Sequence, residues 1–198
     1  MPDHQPSHHP NDPRRDPFHL RYRQRALFAR DVEASVEIDA PRDVVWETLV
    51  DFESYPQWNP FTRRVETTLE LGAPVSLHVD MPGRSGSDRT EWVNLVEPGH
   101  TICWGMHLGH PGLLTANRWQ ELHDLGGGRT LYHTVDRFSG LLVPLMMALY
   151  GEPTRRGFES VAHELKRWVE RERTGRVTKP EPAPSEDDRI AAHAGAGA

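Results

Sequence analysis

Three residues in the second half of the chain carry side chains suited to acid–base chemistry: Asn117, His133 and Tyr150. A histidine titrates near neutral pH, so His133 could remove an activated proton from a bound molecule. Tyr150 or Asn117 could then donate a hydrogen bond to the oxygen that gains charge. A histidine on a strand is more often structural than catalytic, and nothing in the sequence fixes a catalytic pair. Whether the protein is an enzyme therefore stays open at this stage.

Two groups of histidines have spacings that resemble metal sites, but neither has a complete ligand set. The histidines of residues 4–9 lie in a Pro- and His-rich segment, and His107 and His110 have no nearby thiolate or acidic third ligand. The single cysteine, Cys103, excludes a disulfide framework and every zinc motif that needs paired thiolates. We therefore predict no metal site and no cofactor.

Large apolar side chains on the predicted strands indicate a cavity that they could line. Strand alternation over residues 102–108 places Trp104, Met106 and Leu108 on one inner face. If Trp119 also points inward, Asn117 does too, while Arg118 turns away. If Leu131 and Val135 point inward, so does His133, and Asp136 then faces outward. Core packing is the competing explanation for each tryptophan. The predicted ligand-binding residues are Trp58, Trp92, Trp104, Met106, Asn117, Trp119, His133, Met146, Met147, Tyr150 and Phe158.

The elements that would position these side chains occupy the middle of the 198-residue chain. Residues 1–30 are rich in Pro, His, Arg and Asp, and residues 174–198 end in Pro, Ala and Gly, so both are predicted to be disordered tails. Residues 31–173 form the predicted domain. Its first strand precedes Pro41, which suits a first helical turn, and a second short helix is expected to end at Trp58 before Asn59 and Pro60.

Six strand-like runs separated by turn residues follow these two helices, at 61–71, 75–81, 89–96, 101–108, 114–123 and 130–138. From Leu141 onward the apolar period becomes helical, with Gly151 and Pro153 expected to kink or break the final helix. One long helix must then cover a seven-stranded curved antiparallel sheet. Such packing tends to leave a void between the two, and this void is the predicted cavity.

Composition limits the classes of partner. The chain has 23 Lys and Arg against 29 Asp and Glu, a net charge of −6, which is unfavourable for binding nucleic acid. The longest apolar run, 141–150, contains Pro144 and is too short for a membrane span, so no integral membrane segment is expected. The N-terminus lacks the pattern of a secretion signal. We predict a cytoplasmic protein, monomeric or homodimeric, whose main partner is a hydrophobic small molecule.

Several landmarks resemble one superfamily. The run from Val36 to Pro41, the segment 45–61 with its Tyr-Pro and Trp-Asn-Pro-Phe motifs, residues 127–130, the run 137–142 and residues 155–166 occur in this order. Together they resemble the START-like (SRPBCC) superfamily, of the polyketide cyclase/dehydrase and lipid-transport type. The resemblance implies an α+β helix-grip fold, with two short helices after the first strand and the sheet wrapped around the C-terminal helix.

The resemblance implies a cavity without naming its contents, because its members include lipid carriers, quinone-binding proteins and cyclases. Our first hypothesis is a binding protein for a lipid, a quinone or an aromatic or polyketide-like metabolite. Burying about 300 Å² of apolar surface at about 25 cal/mol per Å² supplies roughly 7 kcal/mol before the costs of association. The alternative is a polyketide aromatase/cyclase or dehydratase acting in the same cavity.

Overall fold

The computed structural model describes residues 27–178. The two predicted tails, 1–30 and 174–198, lie mostly outside this range. Within it, the first strand already begins at Ala29 and the last helix continues to Thr178.

The elements follow the predicted order. Strand β1 (Ala29–Ile38) leads to helix α1 (Arg42–Val50), a 3₁₀ turn (Phe52–Ser54) and the short helix α2 (Tyr55–Trp58). Six strands come next: β2 (Thr62–Glu66), β3 (Pro74–Val79), β4 (Ser87–Glu97), β5 (Thr101–His107), β6 (Thr115–Gly126) and β7 (Arg129–Ser139). The chain then forms helix α3 (Val143–Met146), a π-helical turn (Met147–Gly151) and the long helix α4 (Glu152–Thr178).

The strands form one curved antiparallel sheet of seven strands in the order β1-β7-β6-β5-β4-β3-β2. Every hydrogen-bonded neighbour is also the next strand in sequence, except that β1 pairs with β7. The sheet with its long C-terminal helix confirms the predicted helix-grip architecture. Strand β2 is shorter than predicted: it ends at Glu66, and Leu69 in the following connection has a positive φ of 57°.

Helix α4 covers one face of the sheet with an apolar stripe. Phe158, Val161, Leu165 and Val169 recur at helical spacing, and each is at most 1% exposed. They join the main core cluster with residues of β1 and β7. We call the sheet face toward α4 the inner face and the opposite one the outer face. The outer face carries a small apolar cluster of its own, built from Cys103, Trp119 and Val135.

The final helical region changes its hydrogen-bonding pattern near the predicted break. The π-helical turn ends at Gly151, and Pro153 is the second residue of α4. Because α4 follows the π-helical turn without a gap, Pro153 has no N–H to donate to the carbonyl of Leu149, four residues earlier. That carbonyl instead accepts a hydrogen bond from Arg84 Nη2. Leu145 and Leu149, one turn apart, stay exposed at 58% and 46%.

Among the helices of residues 27–178, none combines the length and the apolar character needed to cross a bilayer.

Candidate functional site

A cavity of about 580 Å³ lies between the inner face of the sheet and the helical region 146–158. All strands from β2 to β7, or the connections next to them, contribute to its wall. Its apolar lining consists of Phe61, Leu77, Val79, Met81, Trp104, Met106, Leu114, Ala116, Phe138, Met146, Tyr150 and Phe158. The predicted space between sheet and helix therefore exists, and it has the size and character of small-molecule sites.

Arg118 is the most deeply placed cation in this wall, with only 7% of its surface exposed. Its guanidinium lies 4.2 Å from the ring centre of Phe158, and its Nε donates a hydrogen bond to Thr134 Oγ1 at 3.3 Å. Nη1 contacts Thr62 Oγ1 at 3.5 Å. Nη2 is buried and finds no hydrogen-bond partner among residues 27–178. A buried donor without a partner is costly, so this nitrogen is ready for an acceptor on a bound molecule.

Asp136 stands beside Arg118 on the inner face, because the two residues are paired in the β6–β7 register. Burial raises the pKa of Asp136 to about 8, and the nearby carboxylate of Glu91 adds to the rise. Burial likewise raises the pKa of Glu91. The Asp136 Oδ1 atom has no hydrogen-bond partner within the described part of the chain. At neutral pH the Asp136 carboxyl is therefore mostly protonated and can donate as well as accept a hydrogen bond.

Arg84 and Tyr150 close one side of the cavity. Arg84 belongs to the loop between β3 and β4, and its guanidinium carbon lies 4.4 Å from the ring centre of Tyr150. The same side chain donates a hydrogen bond to the carbonyl oxygen of Leu149 at 2.7 Å. These two contacts join a loop to the π-helical turn, so a single side chain holds two cavity walls together.

Five of the residues predicted to bind a ligand line the cavity: Trp104, Met106, Met146, Tyr150 and Phe158. Trp104 and Met106 alternate along β5 as expected, with Cys103 on the outer face between Ile102 and Trp104. Leu108, however, follows the end of β5 and is 50% exposed, so its predicted inward position is wrong.

Three other predicted residues are placed elsewhere. Trp58, the last residue of α2, is 4% exposed within the core, where its Nε1 donates a hydrogen bond to Ser54 Oγ at 3.1 Å. Trp92 is 46% exposed, because its position on β4 opposite Gly105 belongs to the outer face. Met147 packs against the core from the π-helical turn, and it is not among the residues of the cavity wall within 27–178.

The predicted inward orientation of Asn117, Trp119 and His133 is wrong. Asn117 hydrogen-bonds Asn94 at 2.7 Å, and Trp119 belongs to the outer apolar cluster. His133 lies between two carboxylates on the same outer face. The physical reason is that β6 and β7 carry apolar and polar residues on both faces. The alternation therefore does not show which set of alternate residues faces the cavity. A large aromatic was assigned to the cavity and Arg118 to solvent, whereas the register reverses both.

The residues proposed as base and donor do not converge. His133 and Asn117 occupy the outer face, while Tyr150 lines the cavity on the other side of the sheet. The buried ionisable groups in the cavity wall include instead Arg118 and Asp136, with Glu91 close to them. The assumed alternation turned Arg118 and Asp136 outward, and Glu91 was not considered as a site residue, because charged side chains are rarely buried. The cross-strand pairing of Arg118 with Trp104, a clearly inward residue, is the signal that identifies its face.

A second concavity, between α1 and α4, is larger at about 680 Å³ but differs in kind. Charged residues of the surface contribute much of its lining, among them Glu47, Glu172 and Arg173. It lacks the apolar enclosure that small-molecule sites show. The inner cavity is therefore the better candidate site.

The arrangement suits a ligand that is mostly apolar and carries one oxygen-containing polar group. The aromatic and methionine side chains can enclose the body, while Arg118 Nη2 and the protonated Asp136 carboxyl supply two adjacent donors. Donors of this kind would bind a carbonyl, carboxylate, phenolate or enolate oxygen, and an Arg next to a carboxyl of pKa near 8 could also support proton transfer.

The family model described as "Polyketide cyclase / dehydrase and lipid transport" matches residues 29–170. Among solved structures, the chain is similar to the Zhui aromatase/cyclase from Streptomyces sp. R1128, with 25% identity and a TM-score of 0.58, covering 72% of this chain and 94% of that one. It is also similar to norcoclaurine synthase from Thalictrum flavum, with 15% identity and a TM-score of 0.56, over 73% of this chain and 96% of that one.

A further similar structure is the di-domain ARO/CYC StfQ from the steffimycin biosynthetic pathway, with 13% identity and a TM-score of 0.59. The match covers 79% of this chain and 54% of StfQ. Comparison of the sequence with curated proteins gives no match.

Proposed function

Because the chain belongs to the polyketide cyclase/dehydrase and lipid transport family, we propose that it binds a hydrophobic small molecule between the sheet and α4. The ligand is a lipid, a quinone or an aromatic or polyketide-like metabolite. The observation that carries the proposal is Arg118, a residue of the cavity wall whose Nη2 is buried without a hydrogen-bond partner among residues 27–178.

The ligand's oxygen function is proposed to meet Arg118, and its body to lie against Trp104 and Met106. A charge-assisted hydrogen bond contributes about 1.5–3 kcal/mol, which fixes orientation, while the apolar walls supply most of the affinity. The cavity border carries three arginines, Arg84, Arg89 and Arg118, and three acidic residues, Asp88, Glu91 and Asp136. The preference for an oxygen function therefore rests on the position of Arg118 and not on an excess of positive charge.

The experiment has two steps. Purified protein is extracted with organic solvent, and the extract is analysed by mass spectrometry for a co-purified apolar compound. The emptied protein is then titrated with the fluorescent fatty acid cis-parinaric acid, and unlabelled lipids and quinones are tested as competitors. Saturable binding that Arg118→Met weakens supports the proposal. If folded protein binds no fluorescent acid and yields no extractable compound, the proposal is wrong.

An aromatase/cyclase or dehydratase acting in the same cavity is the second candidate. The specific observation in its favour is the pKa of Asp136, raised to about 8 by burial, beside the Arg118 guanidinium. A carboxylate with this pKa can act as a general base near neutral pH, and Arg118 can stabilise an enolate oxygen. In this version Asp136 takes the role that sequence analysis gave to His133.

Proton exchange tests this second candidate without knowledge of the natural substrate. An aryl ketone such as 2-acetylnaphthalene is incubated with the protein in deuterated buffer, and loss of its methyl proton signal is followed by NMR. Faster exchange that disappears in Asp136→Asn but persists in His133→Ala supports catalysis in the cavity. If the ketone binds but its methyl protons exchange no faster than in buffer without protein, the cavity binds the ketone without catalysing proton transfer.

A further inference from the structure

A cluster of two histidines and two glutamates lies on the outer face of the sheet, on the opposite side from the cavity. Glu121 and His123 are two residues apart on β6, so their side chains share this face. His133 on β7 is the direct cross-strand partner of Glu121. Glu33 projects from β1, the strand on the other side of β7. Three neighbouring strands thus bring four potential ligands together.

Three of these side chains converge on one point. Glu121 Oε2 lies 3.1 Å from His133 Nδ1 and 3.8 Å from His123 Nε2, and the three ligand atoms are all within 4.8 Å of one another. A tetrahedral zinc ion with bonds of about 2.0–2.1 Å separates its ligand atoms by about 3.4 Å. Small rotations of the exposed His123 side chain would bring the three atoms to that separation.

The second imidazole nitrogen of His133 supplies an independent observation. Its Nε2 lies 3.3 Å from Glu33 Oε2, so Glu33 can accept the Nε2–H hydrogen bond. Nδ1 lies 3.1 Å from the Glu121 carboxylate, which only accepts hydrogen bonds, so without an ion Nδ1 donates its N–H to Glu121. An ion that binds there displaces this proton and takes the Nδ1 lone pair, while Nε2–H stays on Glu33. A carboxylate behind a histidine is the usual outer partner of a metal-bound imidazole, because it fixes the tautomer and the ring orientation. The cluster therefore has both the ligands and the residue that orients one of them.

We infer that Glu121, His123 and His133 form a site for a divalent transition metal ion of the zinc class, with Glu33 as the positioning residue for His133. Two imidazoles and one carboxylate match the ligand preference of Zn²⁺, Co²⁺ and Ni²⁺, and not that of Mg²⁺ or Ca²⁺. The side chains of Glu121, His133 and His123 are 30%, 25% and 55% exposed, so the fourth position faces solvent. The ion replaces a proton on His133 and joins β6 to β7.

Metal binding is measured on the full chain with Co²⁺ absorption and with Zn²⁺ in competition against a chromophoric chelator. Wild-type protein is expected to bind one Zn²⁺ at this site and to give the intense absorption of tetrahedral Co²⁺. His123→Ala and His133→Ala are expected to lose this binding, and Glu33→Gln to weaken it about 10–100-fold. Zn²⁺ should also raise the Tm of wild-type protein but not of His123→Ala.

Two control variants test histidines outside this site, one at the end of β5 and three in the N-terminal segment, and circular dichroism verifies that each variant folds. His107→Ala removes an exposed histidine near the end of β5, and a triple variant replaces His4, His8 and His9. Both are expected to bind Zn²⁺ like the wild type. Equal Zn²⁺ affinity in wild type and His123→Ala, or loss of binding in the triple variant alone, would overturn the inference. The outcome is independent of ligand binding in the cavity, on the opposite sheet face.

Discussion

Arg118 and Asp136 lie directly opposite each other on β6 and β7, and both line the cavity, yet the guanidinium and the carboxyl form no ion pair within residues 27–178. The Arg118 guanidinium stacks on Phe158 and bonds Thr134 instead. Each residue consequently keeps one buried polar atom without a partner. Because a buried polar atom without a partner is costly, two such neighbours in the cavity wall favour a place for a ligand atom over a purely structural role.

Replacing Arg118 with Met is expected to weaken binding of an anionic apolar probe at least 10-fold, because a charge-assisted hydrogen bond is lost while the stem volume is kept. Fluorescence titration with cis-parinaric acid measures the Kd. Arg137→Met is the matched control, since Arg137 is the neighbour of Asp136 on the outer face, over Trp119. Equal loss of affinity in both variants would show that general charge, and not the cavity position of Arg118, is responsible.

Asp136→Asn is expected to change how stability depends on pH. Because the folded pKa of Asp136 is about 8 against 3.8 for the free side chain, the folded state holds its proton over a range where the unfolded state has released it. The wild type therefore loses stability from this group as pH rises from about 4 to about 8, with a slope of at most about 1.4 kcal/mol per pH unit. Urea unfolding at several pH values measures the free energy of unfolding. The value for Asp136→Asn should rise relative to that of the wild type as pH increases from about 4 to about 8.

Asp88→Asn is the control for this titration, because the hydrogen bond from His78 lowers the pKa of Asp88 and the sign is opposite. Asp88 contributes stability above the unfolded pKa, and that contribution is lost as pH falls through the folded value. The Asp136 explanation fails if Asp136→Asn and wild type keep a constant stability difference between pH 4 and pH 8.

Arg84→Ala is expected to accelerate ligand release about 5-fold or more. It removes both the stacking on Tyr150 and the hydrogen bond to Leu149, contacts that together are worth about 1–2 kcal/mol. Stopped-flow displacement of a bound fluorescent probe measures the dissociation rate. Arg129→Ala removes an arginine of similar exposure that pairs with Glu37 away from the cavity, and it should leave the rate unchanged. An unchanged rate in Arg84→Ala would exclude this contact as the closure.

Gly157→Ala is expected to destabilise the fold and to disturb the cavity together. A Cβ at this position would lie 2.1 Å from the Phe61 ring, whose T-shaped contact with Phe158 forms part of the cavity wall. Overpacking of this kind costs about 1–3 kcal/mol, more than the gain in helix propensity of about 1 kcal/mol.

Gly151→Ala is the comparison for Gly157→Ala, because its Cβ would meet only the Met147 side chain, at 3.4 Å or more. Chemical unfolding should therefore show a clearly lower free energy of unfolding for Gly157→Ala and little change in it for Gly151→Ala. The reverse order would contradict the described packing of Phe61 against α4.

The architecture could be predicted from the sequence because its signals are local. Pro41, the turn residues between strands and the apolar stripe from Phe158 to Val169 each act within a few residues, and together they specify element order. Strand β5 was oriented correctly because its inner face carries Ile102, Trp104 and Met106, a clear alternation.

The site could be predicted only in part, because the faces of β6 and β7 depend on register. Both Arg118 and Trp119 are buried, one toward the cavity and the other in the outer cluster, so hydrophobicity gives no preference for either phase. The inward position of Arg118 follows from its pairing with Trp104, a long-range contact that a single sequence does not encode locally.

A cavity-filling substitution tests most directly whether the inner space binds a ligand. Ala116 lines the cavity opposite Met106 and Phe138, and Ala116→Phe would occupy the space with an apolar ring. The probe 1-anilinonaphthalene-8-sulfonate is titrated into wild type, Ala116→Phe and the outer-face control Trp92→Ala, with Tm measured in parallel. We predict saturable one-to-one binding for wild type and Trp92→Ala, and at least 10-fold weaker binding for folded Ala116→Phe. Undiminished binding by folded Ala116→Phe would contradict the account.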